Sequence, residues 1–322
     1  MTSFSTPRRN IGWRLLIGVA ILIALIAAPW ILPLPWLLVL QNILGLAVFA
    51  VATNLLVGWC GLVSFGQAAF YGIGAYTIAL SWLHYQTSFW LSFLAAPLVG
   101  GLAAFLVGLI ALRAQKLYFA LLTLAFSELF YVIAEQQYDI TNGANGIFGA
   151  MVPDVLMQPA MGYFFTLLVS VLALAALRRI FRSPFGLVLQ AIREKRGRAE
   201  SLGADIFRHQ LLAFVISGAF CGLAGALYVV HDQTAYPELL DWVKSGDPVI
   251  MSVIGGMYAF AGPILGALIY QIAHDALIQY THDWQLFLGL LLLFVMLFMP
   301  NGLAGRVFAA RQPSRTTDDA GS

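Results

Sequence analysis

Long apolar runs alternate with short polar interruptions along nearly the whole chain. Runs of about 17 to 25 apolar residues cross a hydrocarbon core as helices. The runs are Leu15–Pro33, Trp36–Gly58, Leu62–Trp82, Phe89–Leu112, Leu117–Ala134, Met161–Leu177 and Leu211–Val230, followed beyond Asp247 by Val249–Gly262, Pro263–Leu277 and Trp284–Pro300. The pattern predicts an all-α polytopic membrane protein with about ten transmembrane spans. The longest polar interruption runs from Arg182 to Gln210 and reads RSPFGLVLQAIREKRGRAESLGADIFRHQ. Within it, Phe185, Leu189 and Ile192 recur at helical spacing, and AESLG offers a helical turn stopped by Gly203. One or two short surface helices are predicted there, of a kind that docks into a groove on another protein.

Charge sets the sidedness. The interruption holds Arg182, Arg193, Lys195, Arg196, Arg198 and Arg208, in a chain with 17 Lys and Arg in all. A loop this basic belongs in the cytoplasm. Arg8, Arg9 and Arg14 precede the first run without an A-x-A-like cleavage site, so an uncleaved first helix with its amino end inside is expected. Alternate crossings then put Arg113, Lys116 and the tail residues Arg306, Arg311 and Arg315 on the same inner face, leaving Lys244 as the one basic residue outside. The opposite loops collect Glu135, Asp139, Asp154, Asp232, Glu238, Asp241 and Asp247. That acidic face either receives a soluble partner or is simply solvated.

Composition agrees with the span pattern. Hydrophobic residues make up 61% and charged residues 10%, against roughly 25% charged in soluble domains. Residues 15–305 are expected to form one membrane domain between cytoplasmic tails 1–14 and 306–322. No GxxxxGK[ST] phosphate loop occurs, so any nucleotide hydrolysis belongs on another chain. Cys60 and Cys221 lie in apolar runs and read as small buried hydrophobes. His84, His209 and His231 lie at span ends or in loops, without metal-ligand spacing.

Ten spans divide into two sets of five, and an odd-numbered repeat has inverted topology. Two glycine-interrupted stretches occupy corresponding third positions. Gly61 to Tyr76 contains Gly61, Gly66, Gly72 and Gly74, and Val249 to Ala267 contains Gly255, Gly256, Gly262, Pro263 and Gly266. Such paired weak helices either line a translocation pathway or permit close helix packing.

Several segments carry a resemblance. The run from Ala191 to Tyr228 resembles the cytoplasmic loop and following span of permeases from branched-chain amino-acid ABC importers of the LivM type, matching at Ala191, Ile192, Arg193, Glu194, Ala199, Glu200, Leu202 and Gly203. Arg196 and Arg198 depart from that pattern, which usually has an acidic residue and an alanine there. Ser64, Phe65, Gly66, Gln67 and Ala68 resemble the family's LxSFGQAAF signature. The glycine pair before Gly262-Pro263 is similar too, with Tyr258 in place of a small residue. TLAFSEL from Thr123, TNGANGI from Thr141 and FMPNGLAG from Phe298 also match, so the resemblance covers about Trp36 to Gly305. It implies a permease subunit that performs no chemistry and binds no cofactor, ATP being used on two cytoplasmic ATPase subunits that engage Ala191, Arg193, Glu194, Ala199, Glu200 and Gly203. It also implies a homologous second permease, a periplasmic substrate-binding protein, surrounding lipid and a bacterial inner-membrane location, with no nucleic acid. The family's default solute is a branched-chain amino acid; urea, amides and aromatic acids are carried by related permeases.

Candidate pathway residues are Ser64, Phe65, Gly66, Gln67, Thr123, Glu128, Gly255, Gly256 and Tyr258. Glu128 lies deep in an apolar run, where a carboxylate is costly. It either meets the ammonium group of a passing solute, holds polar groups of a neighbouring helix, or is protonated. Ser64, Gln67 and Thr123 suit a pore for a zwitterion or act as interhelical glue. His274, Asp275, His282 and Asp283 read as interfacial, and the Asn- and Gly-rich loop Thr141 to Gly149 as a turn-rich cap or connector. Two other classes compete: an ion-coupled secondary carrier, which needs a coupling residue such as Glu128, and a membrane enzyme or scaffold, for which no constellation of acid, base or nucleophile is evident.

Overall fold

A computed structural model describes residues 11–279 apart from 115 and 150, together with 286, 287, 289, 290, 293 and 297. Arg8, Arg9, His282, Asp283, most of the expected tenth span, the Phe298 motif and the basic tail from Arg306 lie outside the described residues. The helices are α1 Ile11–Ile31, α2 Leu34–Asn54, α3 Gln67–Tyr85, α4 Phe89–Ala111, α5 Lys116–Gln136, α6 Tyr138–Thr141, α7 Asp154–Met157, α8 Pro159–Phe181, α9 Pro184–Glu194, α10 Arg196–Ser201, α11 Ile206–Asp232, α12 Trp242–Gly255 and α13 Gly262–Ile278. Among the described residues, five stretches are long and apolar enough to cross a membrane: Leu34–Cys60, Phe89–Ala111, Leu117–Gln136, Pro159–Phe181 and Ile206–Asp232. The protein is therefore polytopic.

The centre of the bundle is α11, packed against α2, α3 and α4. Its small residues make this possible. A Cβ on Gly222 would stand 2.8 Å from the Ala96 carbonyl oxygen, and one on Gly225 would overlap the carbonyl of Tyr71. Backbones meet this closely only where side chains are absent, the small-residue mode of helix packing in lipid. Polar groups add fixed points: Gln41 of α2 donates to Thr166 Oγ1 of α8 at 3.1 Å, and Tyr163 of α8 donates to the Leu25 carbonyl of α1 at 2.8 Å.

Several boundaries differ from those the apolar pattern predicts. α2 continues through a π-helical turn, Leu55–Cys60, and ends at Gly61 with φ 72°. α3 then starts at Gln67 rather than Leu62, leaving Gly61 to Gly66 outside any helix. The expected span Val249–Gly262 begins instead at Trp242, because Asp241 caps the helix by accepting from Val243 N at 3.0 Å. It stops at Gly255, since Gly256 takes φ 107°, and α13 returns from Gly262. A short antiparallel pair, β1 Ile147–Phe148 with β2 Thr234–Ala235, interrupts the all-α expectation. It anchors the Asn- and Gly-rich loop, where Asn142, Gly143 and Gly146 take left-handed backbone with φ between 59° and 70°.

The basic interruption folds as its spacing predicts. Ser183 caps α9 by accepting from Gly186 N at 3.4 Å, and Pro184 occupies the first helical position. Leu189 and Ile192 are buried, and Ile192, Ala199 and Ile206 form a small cluster that pins α9, α10 and the start of α11 together. Gly203, with φ 89°, ends this segment, and Asp205 caps α11 by accepting from Arg208 N at 3.0 Å.

Candidate translocation and coupling site

The two chain breaks, Gly61 to Gly66 and Gly256 to Ala261, meet at the face that carries α9 and α10. Asn54 Nδ2 donates to the Met257 carbonyl at 3.0 Å, joining the end of α2 to the second break. Arg193 of α9 reaches between them. Its guanidinium donates to the Gly58 carbonyl in the π-turn and lies 4.8 Å from the centroid of the Tyr258 ring. Gly61 is required on two counts: its φ is positive, and a Cβ would stand 2.7 Å from Arg193 Cγ. The two glycine breaks are thus linked through Asn54, Gly58 and Arg193. Two buried groups beside the π-turn, Asn54 Oδ1 and Trp59 Nε1, have no hydrogen-bond partner among the described residues. Each such orphan costs about 1–3 kcal/mol.

Just inside this junction lies a closed polar cluster around Gln67. Gln67 Nε2 donates to Ser64 Oγ at 3.2 Å, while Gln67 Oε1 accepts from Ser217 Oγ at 3.0 Å and from Cys221 Sγ at 3.2 Å. Ser64 Oγ also accepts from Gly66 N at 3.3 Å, and Thr123 Oγ1 accepts from Phe65 N at 3.2 Å. Ser64, Gln67, Thr123, Ser217 and Cys221 are all fully buried. The first turn of α3 needs partners for its free N–H groups, and Ser245 of α12 supplies one by accepting from Ala68 N at 2.9 Å. As arranged, Ser64 and Gln67 are buried and bonded to protein groups.

The other predicted residues separate into groups. Gly66 is packed on the backbone of Thr123, and Gly255 against Gly262, positions where a Cβ has no room. Tyr258 is exposed beneath Arg193. Glu128 is half-buried on α5 and makes no hydrogen bond or ion pair among the described residues. On the basic loop, Ala191, Glu194, Glu200 and Gly203 are exposed while Ala199 is buried, so the loop presents its polar side and Leu202, 82% exposed, outward. Both cysteines are buried and free.

Sequence reasoning missed Ser217, Cys221, Ser245, Asn54 and Gly58. Ser217 and Cys221 are spaced i,i+4 on α11, which places them on one face, but among so many small residues that spacing reads as packing.

A family profile described as the permease component of the branched-chain amino acid transport system matches residues 36–297. The high-affinity branched-chain amino acid transport permease LivM of Escherichia coli is 30% identical over 88% of this chain and 73% of its own length. The probable LivM permease of Methanocaldococcus jannaschii is 25% identical over 80% of this chain and 89% of its own. A probable LivH permease of the same archaeon is 27% identical over 36% of each chain. No solved structure matches the chain. With four-fifths of its length under one family profile, and with the SFGQ signature folded into a buried bonded cluster, this chain belongs to the branched-chain amino acid transport permease family.

Proposed function

We propose that this chain is one of two permease subunits of an ATP-binding-cassette importer in the bacterial inner membrane, with α9 and α10 as the segment its ATPase partners move. The observation that carries this reading is Arg193, one side chain on the basic loop tied to both helix breaks at once. A shift of α9 acts on the Gly58 carbonyl and the Tyr258 ring together, so the π-turn and the α12–α13 hairpin respond to the same push. The orphaned Asn54 Oδ1 and Trp59 Nε1 give the junction a reason to rearrange, because a second arrangement that pairs them recovers part of their cost. In this reading the Gln67 cluster is the closed gate and the chain performs no chemistry; ATP is consumed on separate subunits.

The solute we assign is a branched-chain or closely related amino acid, delivered by a periplasmic binding protein, as the names of the LivM relatives suggest. A LivH-like chain is the natural second permease, since relatives of both names resemble this one. Gentle affinity purification from native membranes, with identification of co-purifying chains and an assay of ATP-driven leucine uptake, tests the proposal. Recovery of a second permease and ATPases with ATP-dependent uptake is expected. A chain that purifies alone and transports under an ion gradient without ATP overturns it and moves attention to Glu128.

A further inference from the structure

On the face opposite the Arg193 junction the bundle opens into a cavity of about 620 Å³ enclosed by α2, α3, α11, α12 and α13. Glu238 and Asp241 stand where the α11–α12 connection borders it, and Leu46 and Tyr71 lie at its depth. Leu46 is twelve residues along α2, about 18 Å from the start of that helix. Tyr71 lies one turn beyond Gln67 on α3, so the cavity ends just short of the closed polar cluster.

The lining has a definite chemistry. Four tyrosines, Tyr71, Tyr228, Tyr236 and Tyr270, share it with four carboxylates and one lysine. Lys244 Nζ sits 2.8 Å from Asp247 Oδ2, so the lysine is already neutralised within the wall. Asp232 adds its carboxylate to the lining, 3.8 Å from the ring nitrogen of His231. The phenols of Tyr228 and Tyr236 are bonded to each other at 3.0 Å. Tyr71 differs from them. It is 2% exposed, with its ring packed 4.7 Å from that of Phe49, yet its hydroxyl has no hydrogen-bond partner among the described residues. The hydroxyl of a buried side chain, left unpaired at a cavity wall, is a group that meets a ligand or water there. Aromatic faces and carboxylates together attract cations, and low-dielectric walls focus that field.

We infer that this cavity is a solute-binding vestibule within the single subunit, holding small molecules that carry an ammonium group against Tyr71 and the Asp232 carboxylate, and turning anions away. The inference deepens the transport reading and rests on it for its place in the import cycle. It adds a selection step inside the membrane: a solute lacking the ammonium group finds four phenols and an excess of negative charge, with no free lysine to receive a carboxylate.

The test uses the full chain with its co-purified partners in lipid nanodiscs. Val243 lines the cavity and is 45% exposed, so Val243→Cys offers a thiol there, while Cys60 and Cys221 are buried. Modification by aminoethyl methanethiosulfonate is compared with that by sulfonatoethyl methanethiosulfonate, each relative to its rate with a free thiol. The cationic reagent is expected to react at least about tenfold faster. L-leucine should slow the reaction and its 2-oxo analogue should not, and adding Tyr71→Phe should abolish leucine protection without lowering the melting temperature. Equal reagent rates, protection by the oxo acid, or leucine protection that survives Tyr71→Phe would each overturn the vestibule. Charge selection and leucine protection in a preparation without ATP-driven uptake would leave the vestibule standing and remove the importer reading.

Discussion

Arg193→Ala tests the junction directly. The substitution deletes the bond from the guanidinium to the Gly58 carbonyl, and hydrogen bonds involving a charged group contribute about 1.5–3 kcal/mol. It also deletes the contact with Tyr258, whose ring is 62% exposed, a setting in which a cation over an aromatic face is worth about 0.5–1 kcal/mol. Glu194 adds nothing of consequence, since it lies 3.9 Å away with a side chain 70% exposed. The total is about 2–4 kcal/mol of connection between α9 and the two breaks. Each 1.4 kcal/mol is about a factor of ten in an equilibrium, so solute moved per ATP hydrolysed should fall at least about tenfold while ATP hydrolysis itself continues. The assay measures both quantities on one proteoliposome preparation. A double-mutant cycle with Tyr258→Leu should return an interaction of about 0.5–1 kcal/mol in stability. An Arg193→Ala protein that moves the same solute per ATP, or strict additivity in the cycle, refutes the reasoning.

Other outcomes follow from the same geometry. Gly266→Ala places a Cβ into the Met251 carbonyl between α12 and α13, so the melting temperature in detergent should drop, by an amount equivalent to about 1–3 kcal/mol. Ser217→Ala leaves the Ala52 carbonyl and Gln67 Oε1 each short of a donor and should cost about 1–3 kcal/mol in denaturant titrations. At Gly203 the φ is positive and nothing lies near a built Cβ, so the penalty is conformational alone: alanine should lower stability by about 1 kcal/mol, and asparagine by less. Asp205→Ala removes the cap of α11 and the 3.0 Å pair with Arg208, and should raise amide exchange in the first turn of α11, corresponding to about 1 kcal/mol.

The parts legible in the sequence are those governed by local pattern. Phe185, Leu189 and Ile192 at helical spacing, and Gly203 closing AESLG, describe α9, α10 and their termination, because amphipathic spacing and a glycine stop act over a single turn. The limits of α12 were not legible, since its first turn reads WVKS and lacks a span's composition and its end is set by the backbone of Gly256, whereas α13, Gly262–Ile278, lies within a residue of the expected Pro263–Leu277 run at each end. The SFGQ stretch was singled out, but its partners Ser217, Cys221 and Ser245 lie more than 140 positions away. The tyrosines of the cavity come from α3, α11, the following connection and α13. Nothing in the spacing of Tyr71 and Tyr270 brings them together; that proximity is purely tertiary.

The Ser245 hydroxyl that accepts from Ala68 N also limits how this bundle can flex. The start of α3 has no cap of its own, and a backbone N–H stripped of its acceptor in an apolar interior costs about 1–3 kcal/mol. Tilting α12 away from α3 at that point incurs this cost, whereas turning the two together does not. The hydroxyl therefore acts as a rivet between neighbouring levers. Rotation is left to the glycine at position 256, with its φ of 107°, and to the wide helical turn before Gly61, so the freedom lies at helix ends while a single hydroxyl holds two helices in step.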